Sequence, residues 1–135
     1  MEKLITSGFR WIWTIVFLVV FANQEKVIAH ARLTRSVPAS ESKISMPVKK
    51  VELWFNEILE ERFNKIEIYR STAEGKGREN LAKGEPQLDQ KDRTHLVMET
   101  TPLKPGEYIV EYRVLSRDGH TAPGRIRFEV LEEKE

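Results

Sequence analysis

The sequence predicts an all-β fold for residues 30–135, either an antiparallel β-sandwich or a Greek-key barrel. Apolar and polar side chains alternate with a period of two in several short segments, which is typical of half-buried strands. Pairs of turn-forming residues, mostly containing glycine or proline, separate these segments. The chain shows neither a long amphipathic helical pattern nor an internal repeat, so we expect one domain without a helical layer.

Five segments carry the alternation, and each is predicted to be a strand. The clearest is residues 125–130, where Ile126, Phe128 and Val130 alternate with charged side chains. Trp54 is out of phase with the apolar residues beside it, so we expect it on the opposite face of its strand. The other four predicted strands are residues 51–55, 65–69, 95–98 and 108–115.

The remaining segments carry turn and loop signals. Pro105-Gly106 predicts a tight turn, because proline fixes φ and glycine accepts a positive φ. Residues 71–93 are polar and rich in glycine, and we expect a long excursion there with one short strand near residues 80–83. Residues 58–62 are compatible with a single helical turn.

The first 29 residues have the pattern of a secretory signal peptide. Lys3 and Arg10 precede an apolar stretch of about a dozen residues, which is too short for a comfortable membrane span of about twenty. Ala29 and Val27 fit the −1 and −3 positions of a cleavage site. We therefore expect a signal peptide at residues 1–29 and a mature domain at residues 30–135, with Ala22 and Ala31 as competing cleavage positions.

Composition restricts the partners of the mature domain. Residues 30–135 contain equal numbers of basic and acidic residues, so charge gives no reason to expect nucleic acid or anionic lipid as a ligand. The chain contains no cysteine, which excludes disulfides and a cysteine-linked lipid anchor. Export without cysteine suits a domain whose apolar core is sufficient by itself.

Cleavage after Ala29 would place His30 at the mature N-terminus. Its α-amine and imidazole could then chelate a metal ion through two nitrogens. Asp118 and His120, two residues apart, can reach one point from the same side of an extended segment. Three nitrogens and one oxygen suit Cu(II), which favours tetragonal N/O donor sets. Asp-Gly-His is by itself a common turn sequence, so a simple surface turn stays open as the alternative.

The sequence lacks the usual catalytic signatures. It contains no cysteine nucleophile, no Gly-x-Ser-x-Gly motif, no phosphate-binding glycine loop and no HExxH motif. His95 opens a short strand without an acidic neighbour in sequence, and we expect a surface or edge residue there. The protein is therefore predicted to bind a ligand rather than to catalyse a reaction.

Taken in order along the mature chain, these segments resemble the CopC family of exported copper-binding proteins. The combination of an N-terminal histidine, a Pro-Gly-x-Tyr turn and a Ser-x-Asp-Gly-His motif carries most of the specificity. The matching segments are His30-Ala-Arg-Leu33, Ser36-Val-Pro-Ala39, Val51-Glu-Leu-Trp-Phe-Asn-Glu57, Leu103-Lys-Pro-Gly-Glu-Tyr108, Tyr112-Arg-Val-Leu-Ser-Arg-Asp-Gly-His120 and Gly124-Arg-Ile-Arg-Phe-Glu-Val130.

The resemblance implies a cupredoxin-like or immunoglobulin-like Greek-key β-barrel of about seven strands that binds one Cu(II) ion outside the cytoplasm, in the periplasm or at the cell-envelope exterior. The implied ligands are the amine and imidazole of His30, the Asp118 carboxylate and the His120 imidazole. Glu57 lies where some members place a further acidic residue near the metal, either as an axial ligand or as a group beside one. Residues 71–93 lack the methionines and histidines of members that also bind Cu(I). The implied partner is a membrane copper-transport protein of the CopD type, with the domain itself a monomer.

Two other interpretations remain open at this stage. An N-terminal histidine that chelates copper also resembles the centre of lytic polysaccharide monooxygenases, although Asp118 would here fill an equatorial position. Alternatively, the domain is a metal-free interaction module of immunoglobulin type, held at the membrane by an uncleaved helix over residues 11–22. A mature N-terminus other than His30 would favour this second interpretation.

Overall fold

A computed structural model describes residues 30–45, 47–77 and 79–133, so the predicted signal peptide at residues 1–29 lies outside the described residues. Within them the chain forms nine β-strands and no helix, in two sheets that enclose one apolar core. The strands are β1 (Leu33–Val37), β2 (Ser42–Ile44), β3 (Val48–Phe55), β4 (Lys65–Thr72), β5 (Gly75–Lys76), β6 (Gln87–Leu88), β7 (His95–Leu103), β8 (Gly106–Leu115) and β9 (Thr121–Val130).

One sheet has the strand order β1-β3-β7-β6, and the other has the order β2-β9-β8-β4-β5. Neighbouring strands are antiparallel except for β2, which runs parallel to β9. The β8–β9 hairpin is the longest pairing and runs from Gly106↔Val130 to Leu115↔Thr121. The all-β prediction is confirmed.

The core is formed by the alternating positions that the sequence marks as apolar, because each strand turns every second side chain inward. On β3, Val51 and Leu53 are fully buried, whereas Trp54 lies on the outer face as expected. The other large fully buried side chains are Leu59, Ile68, Leu96, Met98, Tyr108, Val110 and Val114.

All five predicted strands exist, and most are longer than expected. Seven of the nine strands have at least three residues, while β5 and β6 have only two. The strand expected near residues 80–83 is reduced to a single bridge between Ala82 and Thr100. The helical turn expected at residues 58–62 is wrong: Leu59 instead forms an isolated bridge with Ser116.

Strand register brings two distant parts of the chain to one end of the sandwich. Leu33, at the start of β1, pairs with Phe55 at the end of β3, so His30 lies close to that end. Phe55 also contacts the other sheet. Its ring meets that of Tyr112 of β8 edge to face, with centroids 5.4 Å apart. Because β8 ends at Leu115, the loop of residues 116–120 lies at the same end.

Candidate metal centre

The loop of residues 116–120 closes the β8–β9 hairpin in a compact conformation. The Ser116 amide donates to the His120 carbonyl at 2.9 Å, and the Gly119 amide donates to the Ser116 carbonyl at 2.9 Å. Gly119 has a φ of +88°, in the left-handed region that glycine adopts without a Cβ clash. The Asp-Gly pair predicted from sequence therefore sets the direction in which Asp118 and His120 project.

The two oxygens of the Asp118 carboxylate have different surroundings. Oδ1 accepts hydrogen bonds from the Ser116 hydroxyl and from the His120 amide, the latter at 3.1 Å. Oδ2 lies 3.2 Å from Nδ1 of the His120 ring. The Ser116 hydroxyl, followed by the His120 amide, lowers the pKa of Asp118 below its usual value. The carboxylate is therefore ionised at neutral pH, as a metal ligand must be.

His30 lies beside this loop although it is far away in the sequence. Its ring meets the His120 ring in an edge-to-face arrangement, with centroids 5.6 Å apart and an interplanar angle of 78°. His30 is exposed, and the side chains of His120 and Asp118 are 48% and 40% exposed. The structure thus brings His30, Asp118 and His120 together at an open, solvent-facing end of the sandwich.

The segment that carries His30 is attached to the end of β3 through Asn56. The Arg32 amide donates to the Asn56 side-chain Oδ1 at 2.5 Å, and the Asn56 amide donates to the Arg32 carbonyl at 3.0 Å. Ala31, between His30 and Arg32, is buried. Sequence analysis missed this role of Asn56, although the residue lies inside a segment used for the family resemblance.

Glu57 is half-buried and follows Asn56 directly. No hydrogen bond or ion pair of the described residues joins it to His30, Asp118 or His120. Over the same residues, no three His, Asp or Glu side chains are already arranged to hold a metal ion. The arrangement is therefore a cluster of candidate donors and not a closed coordination shell.

The loop of residues 56–64 supports the loop of residues 116–120. The Arg117 amide donates to the Ile58 carbonyl at 2.9 Å, and the buried Leu59 bridges to Ser116. Asn64 is also buried, and its side chain donates to the Glu60 carbonyl at 2.6 Å and accepts from the Leu115 amide at 2.9 Å. These contacts hold the base of the loop at residues 116–120 in place.

The third histidine differs from its prediction. His95 is only 12% exposed, and its ring stacks on Trp54 with centroids 4.1 Å apart. Its Nδ1 lies 3.2 Å from Asp89, and its buried Nε2 lies 3.2 Å from Glu52 without a hydrogen bond. Glu52 comes from β3, whereas Asp89 precedes His95 by six residues and reaches it through the turn that leads into β7.

Fold and cluster together define a small Greek-key β-sandwich with imidazole and carboxylate donors exposed at one end. A family model described as the CopC domain matches residues 33–131. The chain belongs to the CopC family, as the sequence resemblance predicted.

Individual relatives agree with this assignment. The chain is 32% identical to the copper transport protein CutJ of Bacillus subtilis over 90% of its own length, but it spans only 21% of CutJ. It is 30% identical to copper resistance protein C of Pseudomonas syringae pv. tomato, covering 76% of this chain and 81% of that one. These relatives are named for copper transport or resistance, in agreement with the prediction that the protein is not an enzyme.

Solved structures show the same fold. The crystal structure of CopC from Methylosinus trichosporium OB3b has a TM-score of 0.65 and 28% identity, covering 78% of this chain and 98% of that one. PcoC of Escherichia coli, described as a methionine-rich copper resistance protein, has the same TM-score and identity, covering 76% of this chain and 99% of that one.

Among the residues that the structure describes, no helix is long and apolar enough to cross a membrane.

Proposed function

We propose that the protein binds one Cu(II) ion outside the cytoplasm, through the α-amine and imidazole of His30, the Asp118 carboxylate and the His120 imidazole. The observation that carries this proposal is the approach of His30 to His120, with ring centroids 5.6 Å apart beside the ionised Asp118. Three nitrogens and one carboxylate oxygen form a donor set that Cu(II) favours in tetragonal geometry.

The amine ligand requires cleavage after Ala29, because only then does His30 carry a free α-amine. Copper must displace protons from this amine and from the imidazoles, so affinity falls on acidification. Cu(I) prefers soft sulfur ligands. The chain has no cysteine, and residues 30–135 contain only two methionines, Met46 and Met98, of which Met98 is buried in the core with 1% exposure. These features favour Cu(II) as the bound oxidation state.

Family membership supports a role in copper resistance or copper uptake. The ligand cluster is open to solvent, which suits a protein that captures or buffers Cu(II) and passes it to another protein. The recipient that fits this role is a membrane copper-transport protein of the CopD type, with this domain acting as a periplasmic monomer. The names of the relatives support copper as the cargo, and the recipient is an inference from the family resemblance.

Intact mass spectrometry of the exported protein with one equivalent of Cu(II) tests the proposal directly. The expected species starts at His30 and retains one copper ion. A protein that starts elsewhere, or that stays free of metal, would contradict the proposed site and favour the interaction module.

Competition titrations of variants then assign the ligands. His30→Ala, His120→Ala and Asp118→Asn should each weaken Cu(II) binding strongly, because each removes a proposed ligand. The matched control is His95→Gln, which removes an imidazole outside the cluster and should leave affinity unchanged. Glu57→Gln tests whether Glu57 belongs to the site. A loss of Cu(II) affinity would show that Glu57 is an axial ligand or that it contacts one of the metal ligands.

A further inference from the structure

Ser116 is a buried hydroxyl residue at the start of the loop of residues 116–120. It has no exposed surface, and its backbone pairs with both Leu59 and His120. Its Oγ contacts Asp118 Oδ1 and lies 3.1 Å from the His120 carbonyl. A serine hydroxyl carries one proton and can donate to one acceptor at a time. An ionised carboxylate accepts a stronger hydrogen bond than a carbonyl does, so the Ser116 hydroxyl donates to Asp118 rather than to the His120 carbonyl.

The two oxygens of the Asp118 carboxylate have different hydrogen-bond partners. Oδ1 already has two donors, the Ser116 hydroxyl and the His120 amide. Oδ2 faces the His120 ring at 3.2 Å. Oδ2 is therefore the oxygen that would be available to a metal ion held beside the two histidine rings, while Oδ1 is hydrogen-bonded within the loop.

We propose that Ser116 is a positioning residue of the copper site, which makes Asp118 a ligand through Oδ2 alone. This inference rests on the proposed function, since it concerns the same metal ion. It also adds a basis for metal selectivity. Ca²⁺ needs six to eight oxygen ligands, and carboxylates supply it with one or two oxygens each. One carboxylate that offers a single oxygen supplies too few for such a hard ion, whereas the nitrogen-rich set suits Cu(II).

Ser116→Ala tests the inference. Loss of a partner that orients a metal ligand typically lowers metal affinity by about 10- to 100-fold, and we expect a loss in this range for Cu(II). Ser116→Thr keeps the hydroxyl and should restore most of the affinity. Thr100→Val is the matched control, because Thr100 is also buried and donates its hydroxyl to a backbone carbonyl, that of Leu81, at 2.7 Å. This control should lose stability and retain copper affinity.

A double-mutant cycle separates positioning from a general structural effect. If Ser116 acts through Asp118, Ser116→Ala should cost little further affinity in an Asp118→Asn background. Equal losses in both backgrounds would overturn the inference. In the metal-free protein, Ser116→Ala should also speed hydrogen exchange of the His120 amide, because Asp118 Oδ1 loses the donor that fixes it. Unchanged exchange together with unchanged affinity would refute the role of Ser116 and leave the proposed function intact.

Infrared difference spectra of the wild-type protein provide a test that needs no Ser116 variant. The separation of the antisymmetric and symmetric carboxylate bands distinguishes coordination through one oxygen from coordination through two, and Asp118→Asn assigns the bands. The expected Cu(II)-minus-apo spectrum is that of one-oxygen coordination. A two-oxygen signature would overturn the inference while confirming Asp118 as a ligand. A wild-type protein that binds no Cu(II) would overturn the inference together with the proposed function.

Discussion

The attachment of the His30 segment to Asn56 gives the sharpest prediction for copper affinity. Asn56→Ala removes the Oδ1 acceptor of the Arg32 amide and leaves the backbone bond from Asn56 to the Arg32 carbonyl in place. The variant therefore loses one hydrogen bond that keeps His30 beside His120. Binding requires the segment to be docked, and apparent affinity falls with the fraction of molecules in which it is docked.

The magnitude follows from the value of one hydrogen bond. A net contribution of about 0.5–1.5 kcal/mol corresponds to about a 2- to 10-fold change in the equilibrium between docked and undocked segments. We expect Cu(II) affinity to fall by up to that factor. The expected loss is smaller than for His30→Ala, because Asn56→Ala leaves every proposed ligand present.

A chelator competition titration at constant pH measures this change. Asn56→Asp is the control, because it keeps an acceptor for the Arg32 amide and should retain affinity. Hydrogen exchange of the Arg32 amide gives a second readout without metal, and it should speed up in Asn56→Ala only. Equal behaviour of the Asn56→Ala and Asn56→Asp variants in both assays would refute the argument.

Three further predictions concern stability. Gly124→Ala should destabilise the domain by about 1–3 kcal/mol in thermal melts, because the added Cβ would lie 2.1 Å from the Tyr112 ring; the loss should shrink in a Tyr112→Ala background. Hydrogen bonds from Lys91 and then His95 lower the pKa of Asp89 from its usual 3.8, so their stabilisation is present above about pH 4 and lost as pH falls through the lower folded-state pKa. Asp89→Asn should therefore flatten the acid side of the stability profile, and an unchanged profile would contradict this assignment. His95→Ala should shift Trp54 fluorescence and lower the unfolding free energy by about 0.5–1.5 kcal/mol, because it removes the stacked ring; an unchanged emission spectrum would argue against the stack.

Sequence alternation predicted the strands that contribute most to the core and failed at the edges. In β1, the apolar Val37 is exposed and the polar Ser36 is buried, which is the reverse of what their hydrophobicity predicts. Its position depends on pairing with β3, which a local pattern does not contain. β2 is a three-residue strand parallel to β9, too short to show a period. Ile58 and Glu60 are hydrogen-bonded to Arg117 and Leu115 at the end of β8, and these contacts override the weak local preference of residues 58–62 for a helical turn.

The proposed metal ligands could be predicted from the sequence, but the residues that hold them in position could not. Asp118 and His120 could be paired from sequence because one glycine separates them, and His30 joined them through the expected cleavage. Ser116 and Asn56 could not be assigned, because their roles depend on contacts formed only after folding. Asn64 is a clearer case, since its side chain connects Glu60 with Leu115, 51 residues away from Asn64.

The register of β1 links the fold to the position of His30. Leu33 pairs with Phe55, and an irregularity follows before Arg35 pairs with Trp54. Because side chains alternate between faces, a slip of one residue along β3 would reverse the faces of β1 and move His30 relative to the loop of residues 116–120. The extra residue in β1 and the Arg32–Asn56 hydrogen bonds lie on either side of Leu33 and together fix this register. His30 therefore reaches His120 through strand pairing, which explains how an exposed residue three positions before β1 occupies a defined place in the candidate site.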